Sequence, residues 1–221
     1  MRLHSRAFRT TDWTCVHWVL AAFFLLPASA WATHPCTSPL ILDLNGDGRV
    51  MTVSRDNGVE FDMNGDGALE SIGWTYEDGE GFLWLDLDHD GQVSSGRELF
   101  GDSTLTPTGE EVSDGFEALA IYDREELGGD SDGLITKRDL IWNDLRLWVD
   151  ANHDGISEPA EIFPLQRFGV VAIGLAHTEI DELDGAANRH VSRGFFLRRS
   201  PGPGGRHSGF QVVDDVQFSV K

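Results

Sequence analysis

Five short runs of acidic, amide and glycine residues place oxygen atoms where they could converge on one point. The first is Asp43-Leu-Asn45-Gly-Asp47-Gly48, the second Asp62-Met-Asn64-Gly-Asp66-Gly67 and the third Asp86-Leu-Asp88-His-Asp90-Gly91. A shorter fourth is Asp130-Ser-Asp132-Gly133, and the fifth is Asp150-Ala-Asn152-His-Asp154-Gly155. Oxygens at alternate positions meet if the backbone coils around them, and glycine at the sixth position permits the positive φ of the turn. Calcium accepts six to eight oxygens at roughly 2.3–2.6 Å in irregular geometry, whereas magnesium holds a tighter octahedron and keeps its waters. Ca2+ is therefore the expected cofactor. The His and Cys residues show no zinc or copper spacing, and two cysteines exclude a four-cysteine site.

The runs differ in completeness. The fifth matches D-x-[DN]-x-[DN]-G-x5-E in full. Counted from Asp150, Asn152 and Asp154 stand at three and five, Ile156 offers its carbonyl at seven, Glu158 stands at nine and Glu161 at twelve. In the third, Asp86, Asp88, Asp90, Gln92 and Ser94 fill the same places, but Glu98 comes one residue late. A helix starting near Ser94 or Ser95 could still deliver it. The first (Asp43, Asn45, Asp47) and second (Asp62, Asn64, Asp66) lack a twelfth-position acid and read as strand–loop–strand turns, with Glu70 helping the second. In the fourth, Gly128 stands where the first ligand should be. That leaves Asp130, Asp132, Thr136 and Asp139, unless Asp123 reaches in over the Glu-Glu-Leu-Gly-Gly insertion. The alternative for the fifth run is a metal-free Asx turn. His89 and His153 hold the fourth loop position and read as turn residues. The sequence lacks a G-x-S-x-G elbow or comparable catalytic motif, so no catalytic residue is assigned.

The elements that must position these loops are short. Strands are expected at 39–44 and 49–53 around the first loop, 59–63 and 69–74 around the second, 82–85 before the third and 145–149 before the fifth. Residues 114–122 are the best helix, capped by Ser113 or Asp114. Further short helices are expected from Thr136 and over 158–167, the latter with Pro159 in its first turn. The tail carries strands at 170–176, 191–198 and 210–220, with a Pro/Gly-rich turn over 200–209. Trp74, Trp84, Trp142 and Trp148 are expected in the core. The resulting fold class is α+β: short β-hairpins and short helices around EF-hand-like loops, followed by a C-terminal antiparallel β segment.

Composition bounds the function. The chain has 221 residues, 17 Lys plus Arg against 37 Asp plus Glu, and a net charge of −20. It lacks the basic footprint that nucleic acid or an anionic membrane requires. With 40% hydrophobic residues it is no acidic disordered tail. Arg2, Arg6 and Arg9 precede an apolar run over 16–26, and Ala30 and Ala32 have signal-peptidase spacing. Residues 1–32 thus read as a signal peptide, 33–38 as a flexible segment and 39–221 as one calcium-binding domain. Within that domain, 39–171 is loop-rich and 172–221 is β. Removal of Arg2, Arg6, Arg9 and Asp12 with the signal leaves a net charge of −22. A secreted or periplasmic location follows, with no membrane insertion after cleavage.

Several segments resemble a known family. They include Pro39-Leu-Ile-Leu-Asp-Leu-Asn-Gly-Asp-Gly48, Val59-Glu-Phe-Asp-Met-Asn-Gly-Asp-Gly67, Ser95-Gly-Arg-Glu-Leu-Phe-Gly-Asp102 and Asp144-Leu-Arg-Leu-Trp-Val-Asp-Ala-Asn-His-Asp-Gly155. In their order and number they resemble the EF-hand-like calcium module of bacterial secreted proteins, seen in iron-regulated relatives of the repeats-in-toxin proteins. The resemblance implies calcium-dependent folding. It also implies, for some members, calcium-triggered cleavage of an Asp-Pro bond at the module's N-terminal edge. This chain has Ser38-Pro39 at that place and no Asp-Pro bond anywhere. The expectation is therefore a non-enzymatic calcium-binding protein with a structural or interaction role; the alternative is a calcium-activated self-processing module.

Overall fold

The computed structural model describes residues 37–76, 79–199 and 208–220. The expected signal peptide over 1–32, Cys36 and most of the Pro/Gly-rich turn lie outside the described residues. The strands are β1 (Leu40–Asp43), β2 (Thr52–Val53), β3 (Val59–Phe61), β4 (Glu70–Ile72), β5 (Trp74–Thr75), β6 (Glu80–Leu85) and β7 (Leu134–Thr136). They continue with β8 (Leu145–Trp148), β9 (Ile162–Pro164), β10 (Val170–Gly174), β11 (Thr178–Leu183), β12 (Arg189–Arg198) and β13 (Gly209–Gln217). One α-helix, α1 (Gly115–Ala120), runs into a 3-10 turn over Ile121–Asp123.

Nine strands form one curled antiparallel sheet in the order β7-β10-β12-β13-β1-β6-β8-β9, with β11 also paired to β12. The first strand thus lies between the last (Leu40 opposite Asp215) and β6 (Asp43 opposite Glu80). The loop-rich and C-terminal parts share this sheet. The central strands read as continuous apolar runs because both faces are covered. Leu40, Leu42, Leu83, Leu85, Leu145 and Leu147 enter one core with Phe116 and Leu119 of α1. Ile41, Phe82, Trp84 and Trp148 enter the other with Phe61, Trp74 and Phe218. Side-chain alternation along a strand divides the two sets. In the second core Trp74, Phe82 and Trp148 sit with ring centroids 4.6–5.4 Å apart. All four tryptophans named from the sequence are buried.

The α+β expectation is overturned: the protein is mostly β. Residues 158–167 form a turn, then β9 against β8 (Ile162 opposite Trp148), then a 3-10 turn over Leu165–Phe168. Pro164 could not sit inside a helix, because its ring lacks an N–H and clashes with the preceding turn. Thr136 ends β7 rather than opening a helix, since the β-branched Ile135 pairs with Ile173 of β10. The Ser94–Ser95 start yields only a 3-10 turn over Gly96–Glu98. The first loop does not close a hairpin either: β2 pairs with β5, in a separate two-stranded sheet from β1. The second does, between β3 and β4. Helix α1 forms as expected. Asp114 Oδ1 accepts the Glu117 N–H at 2.8 Å, and Glu117 in return accepts the Ser113 N–H at 3.0 Å. Among the described residues no helix is long and apolar enough to cross a membrane.

Candidate metal centre

All five loops have the same backbone. The fourth position takes positive φ in each, at Gly46, Gly65, His89, Ser131 and His153. The sixth does so at Gly48, Gly67, Gly91, Gly133 and Gly155, with φ of 73–92°. The sixth-position glycine then points its N–H at the carboxylate that opens the loop. Gly48 donates to Asp43 at 2.8 Å, Gly67 to Asp62 at 2.9 Å, Gly91 to Asp86 at 3.1 Å and Gly155 to Asp150 at 2.9 Å. In the fourth loop Gly133 donates to Asp123 at 2.9 Å. The 3-10 turn after α1 thus supplies the missing first acid from across the insertion. Residues three and five accept further loop N–H groups. Asn45, Asn64, Asp88 and Asn152 each bond two residues on, as do Asp47, Asp66, Asp90, Asp132 and Asp154.

A second carboxylate closes each loop from inside. Glu161 accepts the N–H of Ala151 at 2.8 Å and of Glu158 at 3.4 Å. Glu98 accepts those of Leu87 and Ser94, so the residue that comes one place late still arrives. Glu70 accepts the Met63 N–H and the Asn64 amide, closing the second loop from position nine. Asp139 accepts the N–H groups of Asp130 and Thr136. In the first loop the residue is Glu80, on β6, which accepts the Met51 N–H at 3.2 Å. Sequence reasoning missed Glu80 because it lies far from Asp43 along the chain. The available signal was a glutamate heading the apolar strand Glu-Gly-Phe-Leu-Trp-Leu, whose every residue is buried.

Most opening and closing acids are buried: Asp43, Asp62, Asp123 and Asp150 open, and Glu80, Glu98, Asp139 and Glu161 close, whereas Asp86 and Glu70 are half-buried. Three groups bring ligand atoms within 4.8 Å of one another: Asp62, Asp66 and Glu70; Asp86, Asp88 and Asp90; Asp123, Asp130 and Asp139. In the fifth loop Glu158 meets the Asn152 amide at 3.4 Å, and the Ile156 side chain is exposed. Asp132 does not join the fourth group; Arg138 pairs with it and with Asp130.

The electrostatics leave carboxylates short of positive charge. Burial, then the neighbouring charges of Asp88 and Asp90, raises the Glu98 carboxyl above its ordinary range. Burial also raises Glu70, aided by Asp62 and Asp66. Asp150 rises through burial and the charge of Glu161, despite N–H groups from Gly155 and from Trp74, whose indole donates at 2.7 Å. Asp86 Oδ1 and Asp123 Oδ1 are buried with no hydrogen-bond partner. Such an oxygen is costly unless something else satisfies it. An all-oxygen donor set of this kind can hold a hard divalent cation. The loops are also tied together. Val93 donates its N–H to Ser157 Oγ at 2.7 Å, linking the third loop to the fifth, and Gly96 donates to the Asp62 carbonyl, linking the third to the second.

The chain has a family match and a relative among known proteins. The iron-regulated protein FrpA of Neisseria meningitidis serogroup C is 35% identical over 162 residues, which are 72% of this chain and 14% of that protein. The chain therefore spans a small part of the relative it matches. The profile of the SPM domain matches residues 40–205, from the first residue of β1 to beyond β12. By that match, the chain belongs to the SPM domain family.

Proposed function

We propose that this is a secreted calcium-binding module whose acidic loops fold around Ca2+, in a structural or interaction role. The observation that carries the reading is the loop geometry repeated five times, with buried carboxylate oxygens at Asp86 and Asp123 that no protein group satisfies. Two like charges about 4 Å apart cost about 4 kcal/mol at an effective dielectric of 20. A divalent cation removes that repulsion, and its binding free energy adds to folding stability. The ligands would be the opening, third, fifth and closing residues of each loop, with Asp123 and Glu80 included and Asp132, paired with Arg138, left out. Secretion rests on the basic-then-apolar N-terminus and on kinship with FrpA. Calcium titration by calorimetry, with melting curves in calcium, magnesium and EDTA, tests the reading. Melting should rise by many degrees in millimolar calcium and much less in magnesium. Equal curves in EDTA and calcium would sink it.

The module is non-catalytic in this reading. Thr37 and Ser38 are buried, and the Ser38 N–H reaches Asp102 Oδ1 at 3.3 Å. The bond to Pro39 is thus held in the fold, but Ser38 lacks the carboxylate that could attack its own carbonyl. Incubation with calcium should leave one intact band. A calcium-dependent fragment ending at Ser38 would instead support the self-processing alternative.

A further inference from the structure

Beside the fourth loop a cavity of about 500 Å³ opens between the end of β7, the turn over Leu140–Asn143 and the start of β10. That volume suits a small ligand. Its lining departs from the rest of this acidic chain: among the described residues no Asp or Glu lines it, while Lys137, Arg138 and Arg199 do. Arg138 is partly neutralised by Asp130, at 2.8 Å, and by Asp132. Lys137 and Arg199 are exposed and have no carboxylate partner among the described residues. The inner wall is apolar, built from Val170 and the buried Trp142. Thr136, Asn143 and Gln166 add a hydroxyl and two amides.

We propose that this cavity binds an acidic sugar of monosaccharide size, its carboxylate on Lys137 and Arg199 and its hydroxyls on Asn143 and Gln166. Each part of the lining excludes a simpler ligand. A neutral sugar leaves two cations without a counter-charge. A purely apolar acid leaves the amides unpaired, which costs affinity when they are covered. A bare small anion gains nothing from the apolar wall. A metal cation is repelled by the rim; the site shares Arg138 with the fourth loop, but its carboxylate-binding cations Lys137 and Arg199 pair with no loop acid among the described residues.

Glucuronate is the probe, titrated into the 15N-labelled protein, with glucose as the uncharged control and acetate as the charge-only control. Glucuronate should give saturable shifts at the Trp142 indole and at the Lys137 and Arg199 amides. Glucose and acetate should bind at least ten-fold more weakly. Lys137→Gln combined with Arg199→Gln should weaken glucuronate at least ten-fold without changing the melting temperature, since both side chains are exposed. Gln166→Ala should weaken it by less and leave acetate unaffected. The assignment is overturned if glucuronate shifts none of these residues, if acetate binds as tightly, or if the double variant binds like the parent.

Discussion

Two sets of buried carboxylates sit in this protein, and they are neutralised differently. In the loops, opening and closing acids face each other with backbone N–H groups as their main protein partners. On β13, Asp214 and Asp215 are both wholly buried and point to opposite faces of the sheet. Asp214 carries its counter-charges with it: Arg193 grips both oxygens at 2.7 and 2.8 Å, and His190 Nδ1 lies at 2.7 Å. Burial alone would raise its carboxyl, but Arg193 and then His190 hold it below the ordinary range. Asp215 has no such cation. Its Oδ2 accepts the Gly115 N–H at 2.6 Å, and burial, with Asp114 and Asp102 nearby, pushes its pKa up to about 7. Asp214 is thus stabilised by a side-chain cation and Asp215 by a proton, whereas the proposed function gives the loop acids an external cation. Acidic composition alone does not separate these cases; what differs is whether the fold supplies a cation, as for Asp214, or none, as for Asp215 and the loop acids.

The largest effect should come from the loops. Glu161→Gln keeps the shape of the fifth loop but removes a charge and the bidentate donor that closes it. It should abolish the tightest calcium step in calorimetry. Because Asp150 is bonded to Trp74 in the aromatic core, it should also remove most of the calcium-induced change in tryptophan fluorescence. Wild-type stoichiometry and affinity would show that the loop is only a turn. Asp214→Ala tests the other side of the comparison. It leaves Arg193 and His190 without their buried partner, which costs about 3–5 kcal/mol for a pair of this kind. That loss should be the same in EDTA and in calcium. A loss that calcium repairs would merge the two sets of acids.

Much of this was legible in the residues, and what was missed has a physical cause. Local rules found the five turns, because D-x-[DN]-x-[DN]-G fixes both the positive φ and the acceptors within six residues. They found α1, because Asp114 and Glu117 cap it locally. They failed wherever the partner is distant in sequence. Glu80 closes the first loop only because β6 lies beside β1, and Asp123 opens the fourth only because the insertion folds back. Helix was expected over 158–167 because Pro159 and the glutamates around it look like a first turn. Pairing of Ile162 with Trp148 overrides that propensity. Strand β11 went unseen because Thr-Glu-Ile-Asp-Glu-Leu is almost wholly exposed on the sheet edge, so it carries no burial pattern. Its four exposed polar side chains also guard that edge against pairing.

Asp215→Asn sharpens the comparison through pH. A carboxyl raised in the folded state contributes stability that is fully present below its ordinary 3.8 and is lost as pH rises to about 7. Each pH unit in that window is worth about 1.4 kcal/mol, so the ceiling is about 4 kcal/mol. Asparagine keeps the acceptor for Gly115 and cannot ionise. The variant should match the parent near pH 4 and exceed it by about 2–4 kcal/mol at pH 8 in urea unfolding. A constant difference across that range would mean that Asp215 is ionised in the fold throughout.

The smallest effect should come from Arg138, which blurs the two sets. Its guanidinium rests on Asp130 and Asp132 as an internal cation, yet the fourth loop also gathers Asp123, Asp130 and Asp139 with one oxygen unsatisfied. The pair is exposed, so removing it should cost at most about 1 kcal/mol without calcium. With calcium the sign reverses, because an ion taking Asp130 no longer has to displace the guanidinium. Arg138→Gln should therefore lower the melting temperature slightly in EDTA and tighten one calcium step a few-fold. Asp123→Asn identifies that step in calorimetry, since it should delete the fourth site and leave the fifth intact. If Arg138→Gln weakens the step instead, the guanidinium supports the loop rather than competing with calcium, and the fourth loop belongs with Asp214 as a site already neutralised from within.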